Sequence, residues 1–175
     1  MLTPSDKRYV LRKYAEKFSL RVFVETGTYD GETVMAMLAE PCLFDIIYTI
    51  EMSAPLFSRA ALKIYDYPLV WMVFGNSGIL LQGILSRIQE PALIWLDAHP
   101  GEPGTAGTYG ETPLRNELQA IFQQPKGHVV LIDDARLMGE EGWPTLDEVR
   151  LIVRSADYDF SISDDIVRCV PCAKL

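Results

Sequence analysis

The residues of this chain that could do chemistry gather in a few short stretches, and most of them are acids. Glu25-Thr26-Gly27-Thr28-Tyr29-Asp30-Gly31-Glu32-Thr33 combines three carboxylates with two glycines spaced G-x-x-x-G. Glu51 closes one apolar run and Gly75-Asn76-Ser77 closes another. Further along stand Trp95-Leu96-Asp97-Ala98-His99 and Leu131-Ile132-Asp133-Asp134-Ala135-Arg136. A glycine-bearing turn that opens a helix can receive a pyrophosphate on its N–H groups, but dinucleotide binders use G-x-G-x-x-G. The spacing here differs, and Glu25, Asp30 and Glu32 would oppose phosphate and favour an ammonium or sulfonium. Glu51 at a strand end suits the two hydroxyls of a ribose, and the Asn76 amide suits an adenine edge. The ligand so described carries an adenosine and a cationic tail, without phosphates.

Asp97, Asp133 and Asp134 pose a separate problem. Carboxylates gathered at one edge repel unless a cation, a proton or an arginine offsets them. A hard divalent ion such as magnesium is one solution, and an ion pair with Arg136 is the other. His99, two residues past Asp97, has the chemistry of a general base for a hydroxyl proton. Its structural alternative is a backbone bond at the start of a loop.

These residues need elements to place them. Apolar runs at 21–25, 45–51, 69–74, 92–97 and 128–133 read as strands, with helical stretches at 32–39, 54–64, 78–88 and 113–122 between them. Nearly continuous apolar strands alternating with helices imply a doubly wound α/β sandwich of three layers, its parallel sheet covered on both faces. The chain opens on a helix, with Thr3 as cap, Pro4 at the first helical position and Asp6 in the first turn. Leu11, Tyr14 and Phe18 form its apolar stripe. In the tail, Thr145-Leu146-Asp147-Glu148 matches a capping box for a helix reaching about residue 156. Two strands follow, 158–162 and 166–170, too closely joined by Ser163-Asp164-Asp165 to be anything but antiparallel. In such sheets ligands sit beyond the carboxyl ends of the strands, where every acid named above falls.

On these residues the chain resembles the class I S-adenosylmethionine-dependent methyltransferases over essentially its whole length. The turn Glu25-x-Gly27-x-x-x-Gly31-x-Thr33 resembles that family's first motif, Glu51 its ribose-binding acid and Asn76 its adenine-contacting position, where the family more often has Asp. The resemblance implies a seven-stranded, mostly parallel sheet of order 3-2-1-4-5-7-6, ending in an antiparallel hairpin. It also implies a cofactor site for S-adenosylmethionine made by Glu25, Gly27, Thr28, Gly31, Thr33, Glu51, Asn76 and Ser77. The acids after strands four and five resemble those of the cation-dependent O-methyltransferases, which makes Asp97, Asp133 and Asp134 the expected ligands of a divalent ion, Mg2+. Asp97 and His99 are then the expected catalytic pair. Enzymes that methylate exocyclic amino groups or glutamine amides usually carry Asn/Asp-Pro-Pro-aromatic after strand four. Asp97-Ala98-His99-Pro100 departs from that run, which favours an oxygen acceptor.

The remaining composition bounds the partners. The 175 residues fit one domain, 1–175, and 49% apolar with 23% charged residues is the balance of a folded globular protein. A formal charge of −8 disfavours nucleic acid and anionic membrane surfaces. The expected partner is a small-molecule substrate, with a homo-oligomer left open. No apolar run approaches the ~20 residues of a membrane span, no secretory signal is visible, and three cysteines suit a reducing compartment. The expected location is the cytoplasm. The segment 99–112, with Gly101, Gly104, Gly107 and Gly110, is the expected lid. Cys169-Val-Pro-Cys172 lacks the second pair a zinc site needs. Trp71 and Trp95 read as core or helix-covering, Trp143 as pocket-lining, and His128 opens a strand without an evident partner. Two other functions use the same residues: a methyltransferase-fold binding protein without catalysis, and a metal-assisted hydrolase on a similar sheet.

Overall fold

Parallel strands need crossover segments long enough to return the chain to the same end of the sheet, and in this protein each crossover contains a helix. The computed structural model describes residues 3–99, 105, 112–123 and 126–172. The elements run α1 (Pro4–Phe18), β1 (Val22–Thr26), α2 (Glu32–Leu38), β2 (Ile46–Glu51), α3 (Ala54–Ile64), β3 (Val70–Phe74) and α4 (Ser77–Leu85). They continue β4 (Ala92–Leu96), α5 (Leu114–Phe122), β5 (Val129–Ile132), a short 3₁₀ turn (Ala135–Leu137), α6 (Leu146–Ser155), β6 (Tyr158–Ser163) and β7 (Ile166–Pro171). Seven strands form one sheet in the order β3-β2-β1-β4-β5-β7-β6. The first five are mutually parallel, while β7 runs antiparallel to both β5 and β6.

Side chains of a strand alternate between faces, so each strand feeds two cores. Val22, Val24, Ile94, Val130 and Ile132 pack with Leu81 and Leu85 of α4, Leu118 and Ile121 of α5, and Val149 and Val153 of α6. On the opposite face Phe23, Ile47, Leu93, Trp95 and Leu131 pack with Leu11 and Ala15 of α1, Val34 and Met37 of α2, and Ile64 of α3. The sandwich has the expected three layers. Both capping boxes form. Thr3 Oγ1 accepts from the Asp6 N–H and Asp6 Oδ2 from the Thr3 N–H, while Thr145 and Glu148 exchange the same pair of bonds at α6.

Three expectations change. The helix expected at 78–88 stops at Leu85, because Arg87 and Ile88 bond back three residues to the carbonyls of Ile84 and Leu85 as the chain turns toward Pro91. Trp71 does not belong to the core. It lies on β3, an edge strand, and is 55% exposed, whereas Trp95 on central β4 is 2% exposed. His128 does have a partner: its buried Nδ1 accepts the Ala92 N–H at 3.0 Å, and burial pushes its pKa down to about 4, which keeps the ring neutral and able to accept. The glycines of the expected lid, Gly101, Gly104, Gly107 and Gly110, lie outside the described residues. No helix among the described residues is long and apolar enough to cross a membrane.

Packing of this density makes core truncation costly and surface truncation cheap. Leu118→Ala, at a fully buried site on α5, should lower the unfolding free energy by about 2–5 kcal/mol. Leu151→Ala, on the exposed face of α6, should change it by less than about 0.5 kcal/mol. Urea denaturation of the two variants beside the parent checks both.

Candidate active site

Register carries the acids to one edge. The last paired residues of β1 are Glu25 and Thr26, opposite Trp95 and Leu96 of β4, and Leu96 is in turn opposite Ile132 of β5. The ladder then runs one step past the strands. Gly27 N–H donates to the Ile50 carbonyl (3.0 Å), Gly75 N–H to Glu51 (2.9 Å), Asp97 N–H to Thr26 (3.1 Å) and Asp133 N–H to Leu96 (3.0 Å). Gly27, Gly75, Asp97 and Asp133 are thereby fixed along one rim. Gly27 has φ +83°, and a Cβ there would lie 2.5 Å from the Asp97 carbonyl oxygen, so glycine is required where β1 leaves the sheet against β4.

The turn after β1 spends its N–H groups internally. Gly27 and Thr28 both donate to the Ile50 carbonyl, Tyr29 to Glu51 Oε2 (2.9 Å), and Gly31 to the Thr28 carbonyl. Four of the N–H groups that could cradle a pyrophosphate therefore have protein partners.

The three carboxylates of the turn have different fates, and the reading of them as one cation-attracting group is corrected accordingly. Asp30 pairs with Arg59, and Glu32 pairs with Lys63 at 3.0 Å. Glu25 lies beneath the cleft, 1% exposed. Its Oε2 accepts from the Thr49 hydroxyl at 2.7 Å, and the Thr28 hydroxyl, 2.5 Å from Thr49, completes the chain. Burial pushes the Glu25 pKa up to about 8, against the opposing bonds from Thr49 and Thr33. Glu25 is a largely protonated floor residue at neutral pH.

Above that floor lies a cleft of about 810 Å³, within the size range of small-molecule sites. It is lined by Gly27 and Thr28 from the β1 turn, Thr33 from α2, Glu51 from the end of β2, Asn76 and Ser77 from the start of α4, and Asp97, His99, Asp133 and Asp134 from just past β4 and β5. Glu25 and Gly31 are the two expected site residues that do not line it. Gly31, at φ +76°, is the N-cap of α2. Glu51 is 93% buried yet reaches the cleft, its Oε2 taken by Tyr29 N–H and its Oε1 by Ser53 N–H at 2.7 Å. Each oxygen keeps a lone pair. Asn76 caps α4 through its Oδ1, which accepts from Gly78 N–H at 2.8 Å, and this directs its NH₂ as the remaining donor.

At the other end of the cleft the acids meet the protein's own cations. Lys7 of α1 places its ammonium 2.5 Å from Asp133 Oδ1 and 3.4 Å from Asp134 Oδ1. Arg136 Nη1 is 2.6 Å from Asp134 Oδ1 and also pairs with Asp165 in the β6–β7 turn. His99 Nε2 lies 2.9 Å from Asp134 Oδ2 and 3.7 Å from Asp97 Oδ1, with its ring 5.4 Å from that of Trp143. Burial raises the Asp134 pKa, but the bonds from His99 and Arg136 outweigh it and hold the carboxyl well below its usual range. Asp97 moves the other way: withdrawal from water and the charge of Asp133 push its pKa well up. For Lys7, burial works against the charged form, yet the bond to Asp133 and the neighbouring acids keep its pKa raised.

This arrangement does not fit a divalent ion on Asp97, Asp133 and Asp134. Among the described residues, the ligand atoms that fall within 4.8 Å of one another form two other sets, Asp97–His99–Asp134 and Asp133–Asp134–Asp165. Both include Asp134, whose Oδ1 already accepts from Arg136, and the second includes Asp133, whose Oδ1 is held by Lys7. Magnesium binds oxygen at 2.0–2.1 Å in near-octahedral geometry, and these donors would have to leave first. The offsetting charge anticipated from Arg136 is present, joined by Lys7.

Three residues that line or buttress the site were not legible in the sequence. Lys7 follows a helix start with no motif around it. Asp165 reads in the sequence as a turn residue, but its carbonyl and carboxylate accept the N–H groups of Ala135 and Arg136, pinning the 3₁₀ turn after Asp134. Glu117 of α5 is 1% exposed, with Oε1 unpaired and a pKa raised by burial to about 7 despite the nearby Ser77 and Thr26 hydroxyls. Its one signal is an acid on the apolar face of a helix.

No protein-family model matches the sequence, and no curated protein does. Solved structures match over nearly the whole chain. The O-methyltransferase TomG of Streptomyces achromogenes, in complex with SAM, is 15% identical, with 98% of this chain and 82% of TomG covered at a TM-score of 0.67. The SAH-bound methyltransferase PaMTH1 of Podospora anserina is 14% identical, covering 99% and 80% at 0.68. The 23S rRNA methyltransferase ErmE is 16% identical, covering 95% and 69% at 0.58. The chain therefore has the fold of S-adenosylmethionine-dependent methyltransferases, with the strand order and hairpin expected from its residues.

The buried acids give stability a definite pH dependence. Below about pH 4.5 Glu25 is protonated both folded and unfolded and contributes nothing. Between there and about pH 8 the unfolded carboxyl gives up its proton while the folded one keeps it, so stability falls as pH rises. The slope is at most about 1.4 kcal/mol per pH unit for this group. Glu25→Gln removes that contribution. Its unfolding free energy relative to the parent should climb from pH 5 to pH 8, as read from urea denaturation at each pH.

Proposed function

We propose that the protein is an S-adenosylmethionine-dependent methyltransferase acting on a hydroxyl of a small molecule. The observation that carries the cofactor is Glu51. Its carboxylate is locked at the end of β2 by two backbone N–H groups, faces the cleft and keeps one lone pair on each oxygen. That is a preset acceptor for the two hydroxyls of a ribose. The Asn76 NH₂ and the Ser77 edge would receive the adenine, and Gly27 with Thr28 would form the wall beside the tail. The inward-turned N–H groups of the β1 turn support a ligand without pyrophosphate.

A bound sulfonium donor supplies an electrophilic methyl group, and the protein's residues prepare the acceptor. His99, held against Asp134 Oδ2 through its Nε2 at 2.9 Å, is the group that takes a hydroxyl proton. Asp134, held ionised, stabilises the imidazolium that results. Asp97 stands 3.7 Å from the same ring and adds to that field once deprotonated. The acceptor oxygen gains the methyl carbon as the carbon–sulfur bond breaks, and positioning the two in line supplies most of the acceleration. Asp97-Ala98-His99-Pro100 after β4 supports oxygen over an amine as acceptor. A cytoplasmic protein with a small-molecule substrate remains the fitting setting for this chemistry.

Thermal shift with S-adenosylhomocysteine tests the reading. At a concentration near 100 times its Kd the ligand should add about 2.7 kcal/mol, a rise of several degrees in Tm. Adenosine diphosphate should give no rise. Glu51→Ala should weaken S-adenosylhomocysteine by about 1.5–3 kcal/mol, roughly ten- to a hundredfold. A parent protein indifferent to S-adenosylhomocysteine would overturn the proposal.

A further inference from the structure

The acidic rim of β4 and β5 has a feature that its carboxylates alone do not explain: a lysine from the far end of the chain sits among them. Lys7 lies in the first turns of α1, directly after the Thr3–Asp6 capping box, with its own N–H bonded to the Thr3 carbonyl at 3.1 Å. Leu11 and Ala15, one and two turns on, are buried against the sheet. Helix start and helix seat are both fixed, so the ammonium is delivered to one place. Its side chain is only 16% exposed, and it contacts Asp133 and Asp134 together. These are two of the three residues in the Asp133–Asp134–Asp165 set, whose oxygens come within 4.8 Å of one another. Arg136 balances the rest, bridging Asp134 and Asp165.

We propose that Lys7 is the resident cation of this rim, occupying the position a divalent ion would need, so that the site is built to work without a metal. Asp133 Oδ1 already accepts from the Lys7 ammonium at 2.5 Å and the Asp134 N–H at 2.7 Å, so an ion bound through that oxygen must displace one of them, and its charge would repel the ammonium. Lys7 also lines the cleft beside His99 and Asp97, so its charge faces whatever oxygen is presented there. A lysine is a compact charge with three donors. It can satisfy two carboxylates and still offer one N–H to an acceptor oxygen, the role a metal's open position would otherwise fill. Only this last role rests on the methyltransferase reading; the exclusion of metal does not.

Mn2+ binding, followed by the loss of the free-ion electron paramagnetic resonance signal, tests the proposal on the full chain. The parent should leave the signal unchanged. Lys7→Met should bind Mn2+ at least about tenfold more tightly, on the scale by which groups around a metal site tune its affinity. Lys7→Met/Asp133→Asn should lose that gain, and Lys13→Met, altered on the same helix at an exposed lysine paired with Glu16, should behave as the parent. A folded Lys7→Met protein with no gain would overturn the proposal. So would saturable binding by the parent that Asp133→Asn abolishes, a measurement that does not depend on Lys7→Met folding. Thermal shift with S-adenosylhomocysteine on the same samples separates the two readings, since its failure would remove the cofactor and leave the Mn2+ result standing.

Discussion

A parallel sheet brings the carboxyl ends of its strands to one edge, and in this protein that geometry forces acids together. Glu51, Asp97, Asp133 and Asp134 end up on one rim because the ladder bonds continue one residue past β1, β3, β4 and β5. Like charges at such spacing cannot all remain ionised and unpaired. Much of the surrounding structure answers that constraint. Helix α1 seats itself so that Lys7 reaches the end of β5. The hairpin β6–β7 returns antiparallel, so its turn lies at the same rim and Asp165 can hold Arg136 against Asp134. Where no cation arrives, at Glu25 and Glu117, burial raises the pKa, to about 8 and about 7.

The result is a cleft in two halves of different electrostatic character. On the β1–β3 side the floor is buried and close to neutral, and one carboxylate, Glu51, is held by backbone. On the β4–β5 side charge is dense but compensated, and His99 sits between Asp97 and Asp134. An adenosine-bearing ligand suits the first half and proton removal suits the second. The fold supplies the junction: both halves meet at Gly27, where β1 must pass so close to the Asp97 carbonyl that no side chain fits.

Most of the scaffold was readable in the residues. Continuous apolar runs separated by helical stretches determine a doubly wound sheet almost by themselves, and Ser163-Asp164-Asp165 leaves too little chain for anything but a hairpin. Both capping boxes lie within four residues and depend on nothing distant. Glu51, Asn76, Asp97 and Asp133 were legible as a group because a strand end fixes the position of the next side chain. Beyond the Arg136–Asp134 pair, which lies within two residues, ion pairing was not legible, because it depends on how helices seat against the sheet. Nothing near Lys7 in sequence points to Asp133, and Asp30 and Glu32 look like free charges until α3 brings Arg59 and Lys63 alongside them. Burial of Glu25 was hidden for a related reason: the last residue but one of a strand can face the cleft or the core, and its neighbours Thr28, Thr33 and Thr49 reveal the inward choice only once they are in contact.

The most direct test of a cleft that binds an adenosine ligand and carries its own cation is a crystal structure grown with S-adenosylhomocysteine and soaked in Mn2+. The ribose hydroxyls should lie on Glu51, the Lys7 ammonium should remain on Asp133, and no anomalous peak should appear among Asp97, Asp133 and Asp134. An anomalous peak held by those three acids, with Lys7 turned away, would contradict the central claim.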